Sequence, residues 1–126
     1  MAFITFQPND HFNTKLWTGT GSENAITGIG FQPDFTWIKN RAAAENHKLY
    51  DAVRGVTKNI YSNLTNAEGT DAQSLKSFDS DGFTLGTESA LNANGQNIVG
   101  WNWKANGAGS ANTDGSTNTT STSANT

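Results

Sequence analysis

The chain has 126 residues, which accommodates one domain, and only 34 % of them are hydrophobic and 15 % charged; Gly, Thr, Asn and Ser together supply 56 of the 126. No apolar run is long enough to span a bilayer, so no membrane insertion is expected, and a net charge of −3 gives no basic face to neutralise phosphates, so nucleic acid is not an expected partner. The absence of cysteine excludes a disulfide scaffold and a thiol nucleophile.

In chain order, Met1-Ala2-Phe3-Ile4 lacks a basic region followed by an apolar stretch, so no secretory leader is expected there. Short β-prone runs follow, each closed by turn residues. Lys15-Leu16-Trp17-Thr18 ends at Gly19-Thr20-Gly21-Ser22, and Ala25-Ile26-Thr27 ends at Gly28. Phe35-Thr36-Trp37-Ile38-Lys39 runs from Pro33-Asp34 to Asn40-Arg41. Between Ala42 and Leu64 the residues Leu49, Val53, Val56 and Ile60 fit a period near 3.6, but Gly55 interrupts it and residues 47–53 also alternate. Two strands joined near Arg54-Gly55 are favoured there over a helix. Ser77-Phe78 and Phe83-Thr84-Leu85 flank Asp79-Ser80-Asp81-Gly82, a hairpin turn in which Gly supplies the positive φ. In Asn97-Ile98-Val99-Gly100-Trp101-Asn102-Trp103-Lys104, alternation puts Val99, Trp101 and Trp103 on one face and Ile98, Gly100 and Asn102 on the other. The expectation is an all-β fold, an antiparallel β-sandwich of the jelly-roll or laminin-G type over residues 1–104.

Composition breaks at Lys104. All 13 aromatic and all 8 basic residues lie at or before it, and from Ala105 to Thr126 Asp114 is the only charge. Residues 105–126 therefore have no apolar area to offset an ordering cost of about 1–2 kcal/mol per residue. Such an extended tail is expected to gain order from a partner subunit. Thr119, Thr120, Ser121 and Thr122 have strand propensity and are the candidate assembly residues, pairing with another chain's edge.

Few residues carry a chemical signature. His11 and His47 each lack a second histidine at metal-ligand spacing; either could serve as a general base, and the plainer reading of both is a polar loop residue. No metal or cofactor is expected. Asp79 and Asp81 resemble the opening of a calcium loop, but Gly82 comes too early, which favours the hairpin. Carboxylates for glycoside hydrolysis would have to come from Asp34, Asp51, Glu68 or Glu88, with nothing to set their separation. The glycine pairs at Gly19/Gly21 and Gly28/Gly30 lack the Lys-Ser/Thr of a phosphate loop and read as turns. The four tryptophans are the informative feature, because an indole face stacks on sugar rings. Trp37, Trp101 and Trp103 lie inside strong strands and are expected in the core. Trp17, beside the Gly19 turn, is the candidate for a rim position. Tyr50 and Arg54 complete the candidate ligand-binding set, the alternatives being a core ring and a loop salt bridge.

The runs 18–21 and 26–41, then Leu49-Tyr50-Asp51-Ala52-Val53-Arg54-Gly55, residues 77–86 and Val99-Gly100-Trp101-Asn102-Trp103-Lys104-Ala105, resemble a module of bacteriophage virion proteins, notably from marine and cyanobacterial phages. The resemblance covers nearly the whole of residues 1–104. It implies a laminin-G or concanavalin-A-like sandwich on the exterior of the phage particle, in tail-fibre-like proteins. The expectation is then a non-enzymatic virion structural protein for host attachment, contacting host-surface glycan and associating with other copies of itself and other virion proteins. Two further readings stay open: a capsid decoration or head-fibre protein anchored through its tail, and a free carbohydrate-binding module.

Overall fold

Alternating runs broken by glycine, asparagine and aspartate leave little room for helix, and the chain folds as an antiparallel β-sandwich. The structure is a computed structural model that describes residues 7–105, 110–112 and 119–122. After a single turn of 3-10 helix at Pro8–Asp10 come β1 (Phe12–Thr18), β2 (Asn24–Ile26), β3 (Phe35–Asn40), β4 (Lys48–Asp51), β5 (Lys58–Tyr61), β6 (Gly69–Thr70), β7 (Leu75–Asp79) and β8 (Gly82–Leu85). A single helical turn, α1 (Ser89–Asn92), precedes β9 (Asn97–Trp103), and β10 (Ser110–Asn112) and β11 (Thr119–Thr122) follow. One sheet has the order β1-β9-β3-β4-β5-β6, a second β2-β8-β7, and β10 pairs with β11. The segment with competing periodicities resolves as the two strands β4 and β5.

The core fills the space between the two sheets. Ile38, Tyr50 and Ile98 enter it from the six-stranded sheet, and Ile26, Leu75, Phe83 and Leu85 from the three-stranded one. Ile29 and Phe31, in the segment after β2, and Leu91 of α1 close its rim. The inward face of β9 carries Ile98, Gly100 and Asn102, all buried. A buried asparagine needs its amide satisfied. Asn102 accepts from Thr36 Oγ1 at 2.7 Å and donates to the carbonyls of Asn13 and Gly100, both at 3.1 Å. At the β7–β8 hairpin Gly82 has φ 152°, and a Cβ there would collide with the Ile26 carbonyl of the neighbouring strand.

The strand expected at Thr119–Thr122 is present as β11. Its ladder partner is β10 of the same chain, a pairing not expected from the sequence. The rest of the tail expected to be ordered by a partner, residues 106–109, 113–118 and 123–126, lies outside the described residues.

Candidate functional site

The outward face of the six-stranded sheet is built by the other parity of the same strands. In β9 this parity is Val99, Trp101 and Trp103; in β3 it is Phe35, Trp37 and Lys39. Antiparallel register sets Trp37 opposite Trp101 and Phe35 opposite Trp103, while β1 adds Phe12 opposite Trp103 and Thr14 opposite Trp101. The rings meet across the strands: Trp103 packs tilted against Phe12 at 5.0 Å and Phe35 at 5.3 Å, and Trp37 meets Trp101 edge-on at 6.0 Å. Trp37, Trp101 and Trp103 line an open hollow of about 230 Å³. Trp103 keeps 37 % of its surface exposed, and Leu16, on the same face of β1, keeps 58 %. An antiparallel sheet ordinarily turns a polar face to water. Here the outward face of β1, β9 and β3 also carries large apolar side chains, gathered around the hollow.

This reverses the expected use of the tryptophans. Trp37, Trp101 and Trp103 are not in the core between the sheets, because β3 and β9 turn aliphatic and polar residues inward. Trp17, expected at the rim, is partly buried at the edge of the core rather than turned out to solvent. Its ring faces inward against the core, meets Phe83 edge-on at 5.8 Å, and donates from Nε1 to the Leu91 carbonyl at 3.1 Å. A Cβ on Gly100 would come within 3.0 Å of that ring, so the glycine makes the space the indole occupies.

The remaining candidates also lie away from the hollow. Tyr50 is 0 % exposed on the inward face, and burial pushes its phenol pKa well up. It serves as a core ring rather than a ligand contact. Arg54 is engaged by the Asp51 and Glu68 carboxylates and donates to the Leu49 carbonyl at 3.2 Å, so it clamps the end of β4. That clamp also accounts for two of the four carboxylates weighed for hydrolysis, and Glu88 pairs with Lys48 at 3.2 Å. Asp79 accepts from Ser77 and Thr84 hydroxyls, both at 2.8 Å. Asp81 accepts the Gly28 amide at 2.8 Å and also the Gly30 amide, so the glycine nest is filled by the protein's own carboxylate. These two amides, Gly30 first, hold the Asp81 pKa below its usual value. Among the described residues no group of three or more metal-ligating side chains assembles, and no helix is long and apolar enough to cross a membrane.

The role of one residue is not among those expected from the sequence, which offered it as a general base or a polar loop residue. His47, in the loop before β4, accepts the Trp37 Nε1–H on its Nδ1 at 2.8 Å. Its only sequence signal is its place one residue before a strand whose partner carries Trp37.

Among known proteins, a family described as a domain of unknown function, DUF7483, matches residues 7–126. No curated protein and no solved structure matches the chain significantly.

Proposed function

The chain belongs to that family, whose description assigns no activity, and we propose from the hollow's own chemistry that it is a non-enzymatic attachment module on the exterior of a phage particle, contacting host-surface glycan through its outer sheet. The observation that carries this reading is the set of three indoles, Trp37, Trp101 and Trp103, gathered on a solvent-facing sheet. Sugar rings present flat C–H faces that stack on indoles. The hollow is smaller than the roughly 300–1,000 Å³ of an ordinary small-molecule pocket, which suits one ring of a longer chain rather than an engulfed ligand. Thr14, opposite Trp101 on the same face, supplies a hydroxyl for sugar hydroxyls beside the indoles. Single contacts of this kind are weak, and several copies on one particle raise the effective concentration without new contacts. The phage context rests on the resemblance of residues 18–21, 26–41, 49–55, 77–86 and 99–105 to virion surface modules.

The test is a glycan array probed with the intact protein at pH 7.5, beside Trp101→Ala. The expected outcome is binding to a defined glycan group, weakened at least about tenfold by the loss of roughly 1.4 kcal/mol of stacking, with unchanged far-UV circular dichroism. An array with no hits, or hits indifferent to Trp101→Ala, overturns the glycan reading. Antibody labelling of virions in the electron microscope tests the location: label on the tail agrees with attachment, and label on the shell makes the protein a decoration protein instead.

A further inference from the structure

Trp37 is one of the three rings of the hollow, and its indole N–H is held by a single hydrogen bond. An indole N–H only donates, so the Nδ1 of His47, 2.8 Å from Trp37 Nε1, must present a lone pair. The imidazole is therefore neutral with its proton on Nε2. The two rings also meet edge-on, at 5.7 Å and 65°. We propose that His47 is the positioning residue of this hollow and makes ligand binding there pH-dependent: protonation of His47 turns Nδ1 into a donor, releases Trp37 and disassembles the stacking surface. This deepens the proposed function and rests on the same site.

The surroundings make the acceptor state the favoured one. Lys39, on the same outward face of β3, donates from Nζ to the carbonyls of Ala43 at 3.1 Å and Glu45 at 2.7 Å. It thereby anchors the loop that carries His47 and places a positive charge beside the imidazole. From the segment after β5, Asn63 Oδ1 accepts the His47 main-chain N–H at 3.1 Å and its Nδ2 donates to Asn46 Oδ1 at 3.0 Å, which fixes the His47 backbone with an uncharged group. Lys48, the next residue, points to the opposite face, where it pairs with Glu88. Burial and the Lys39 charge, in that order, lower the His47 pKa from its ordinary 6.5. A histidine whose folded pKa is depressed contributes stability that is complete above pH 6.5 and is lost as pH falls through the folded value. Across that window the unfolded chain takes up the proton more readily, so acid works against the Trp37–His47 bond.

Two N–H donors cannot share a 2.8 Å contact, so in acid one ring has to turn away. The six-stranded sheet holds the Trp37 main chain by its pairing with β9 and β4, and the movement falls on the side chains. Trp37 then loses its edge contact with Trp101, and the hollow loses one of its three walls.

The experiment follows the four indole N–H resonances in a ¹H–¹⁵N spectrum of the full chain between pH 8 and 5, with Trp37 assigned by its disappearance in Trp37→Phe. The expected result is a Trp37 signal that is constant above pH 7 and shifts with a midpoint below 6.5. His47→Gln, which keeps an acceptor that does not titrate, should abolish that shift, and His11→Gln should leave it intact. Should His47→Gln unfold, His47→Asn serves the same purpose. A Trp37 signal indifferent to pH, or a shift that survives both His47 variants, overturns the inference. The second arm uses the glycan selected on the array at pH 7.5: its affinity should fall at least about fivefold at pH 5, the low end of ordinary site-to-site coupling, and not fall in His47→Gln. The indole titration needs no ligand, so an empty array defeats the glycan reading and leaves His47 to be judged by the spectrum. A glycan that binds equally at both pH values defeats the switch and leaves the glycan reading standing.

Discussion

Trp17 lies on the inward face of β1 with its ring against the space left by Gly100, while Trp101, one residue further along β9, faces water. The two side chains have the same area to bury, and parity along the strand decides what that area does. Trp17 meets Phe83 and holds the Leu91 carbonyl, tying the six-stranded sheet to the helical turn across the core. Replacing it by alanine removes a core ring and leaves a cavity beside a glycine that cannot fill it. Large-to-small changes of this kind cost about 3–5 kcal/mol when the ring is fully enclosed. For a half-buried ring the lower end applies, so Trp17→Ala should lower stability by about 3 kcal/mol, read as a shift in the urea midpoint at unchanged slope. Trp101→Ala, at the open hollow, should cost only about 1 kcal/mol. If the two costs come out equal, the division of the tryptophans between core and surface is wrong.

At the scale of elements, the β4–β5 connection carries the one non-glycine residue with positive φ among those described: Thr57 at φ 67°. Its main chain is fixed on both sides, the N–H donating to Leu75 O at 2.9 Å and the carbonyl accepting from Asp71 N at 3.0 Å, so the left-handed geometry is imposed by the neighbouring segments. A β-branched residue there costs about 1–2 kcal/mol. Asparagine tolerates the conformation without the chain entropy that glycine adds. Thr57→Asn should therefore raise stability by about 0.5–1 kcal/mol in the same urea measurement, and a loss of stability would show that the threonine side chain has a packing role. The strands themselves were legible because each is a short alternating run bounded by turn residues, and even the ambiguous stretch between Ala42 and Leu64 yielded β4 and β5 once Gly55 was taken as a break. The two-residue β6 and the single turn α1 left no periodicity to read. The face assignment failed for a physical reason. In β9 one parity offers Val99, Trp101 and Trp103 and the other Ile98, Gly100 and Asn102, and hydrophobicity alone sends the heavier set inside. The core instead accepted the lighter set, since Asn102 finds all its hydrogen bonds within the sheet and Gly100 admits the ring of Trp17. Those are relations between strands far apart in sequence, so a single strand cannot disclose them, and the hollow and its His47 support were hidden with them, whereas the structural use of Tyr50 was the plainer reading of that residue.

For the whole molecule, the decisive topological fact is that the last strand of the body, β9, lies between the first strand and the third. It pairs with β1 from Phe12↔Trp103 to Thr18↔Asn97 and with β3 from Phe35↔Trp103 to Asn40↔Ile98. Without it β1 has no ladder partner in the six-stranded sheet, the inward Ile98 is missing from the core, and two of the three indoles of the hollow are gone. Such pairing between distant parts of a chain closes long loops before any contact compensates, which makes folding slow and all-or-none. A chain ending at Gln96 should therefore show no cooperative unfolding transition. Just after β9 the Ala105 N–H donates to Asp34 Oδ2 at 2.7 Å and ties the chain to the body. A chain ending at Ala105 should keep its cooperative transition and its indole spectrum. Its mass in solution, measured by light scattering beside the full chain, separates folding from assembly. If residues 106–126 bind copies of the protein together, as the attachment reading expects, the shortened chain should be folded but of lower oligomeric mass. An unchanged mass with an intact fold would remove the tail from assembly, and a lost fold would show that the body depends on residues beyond its own sheets.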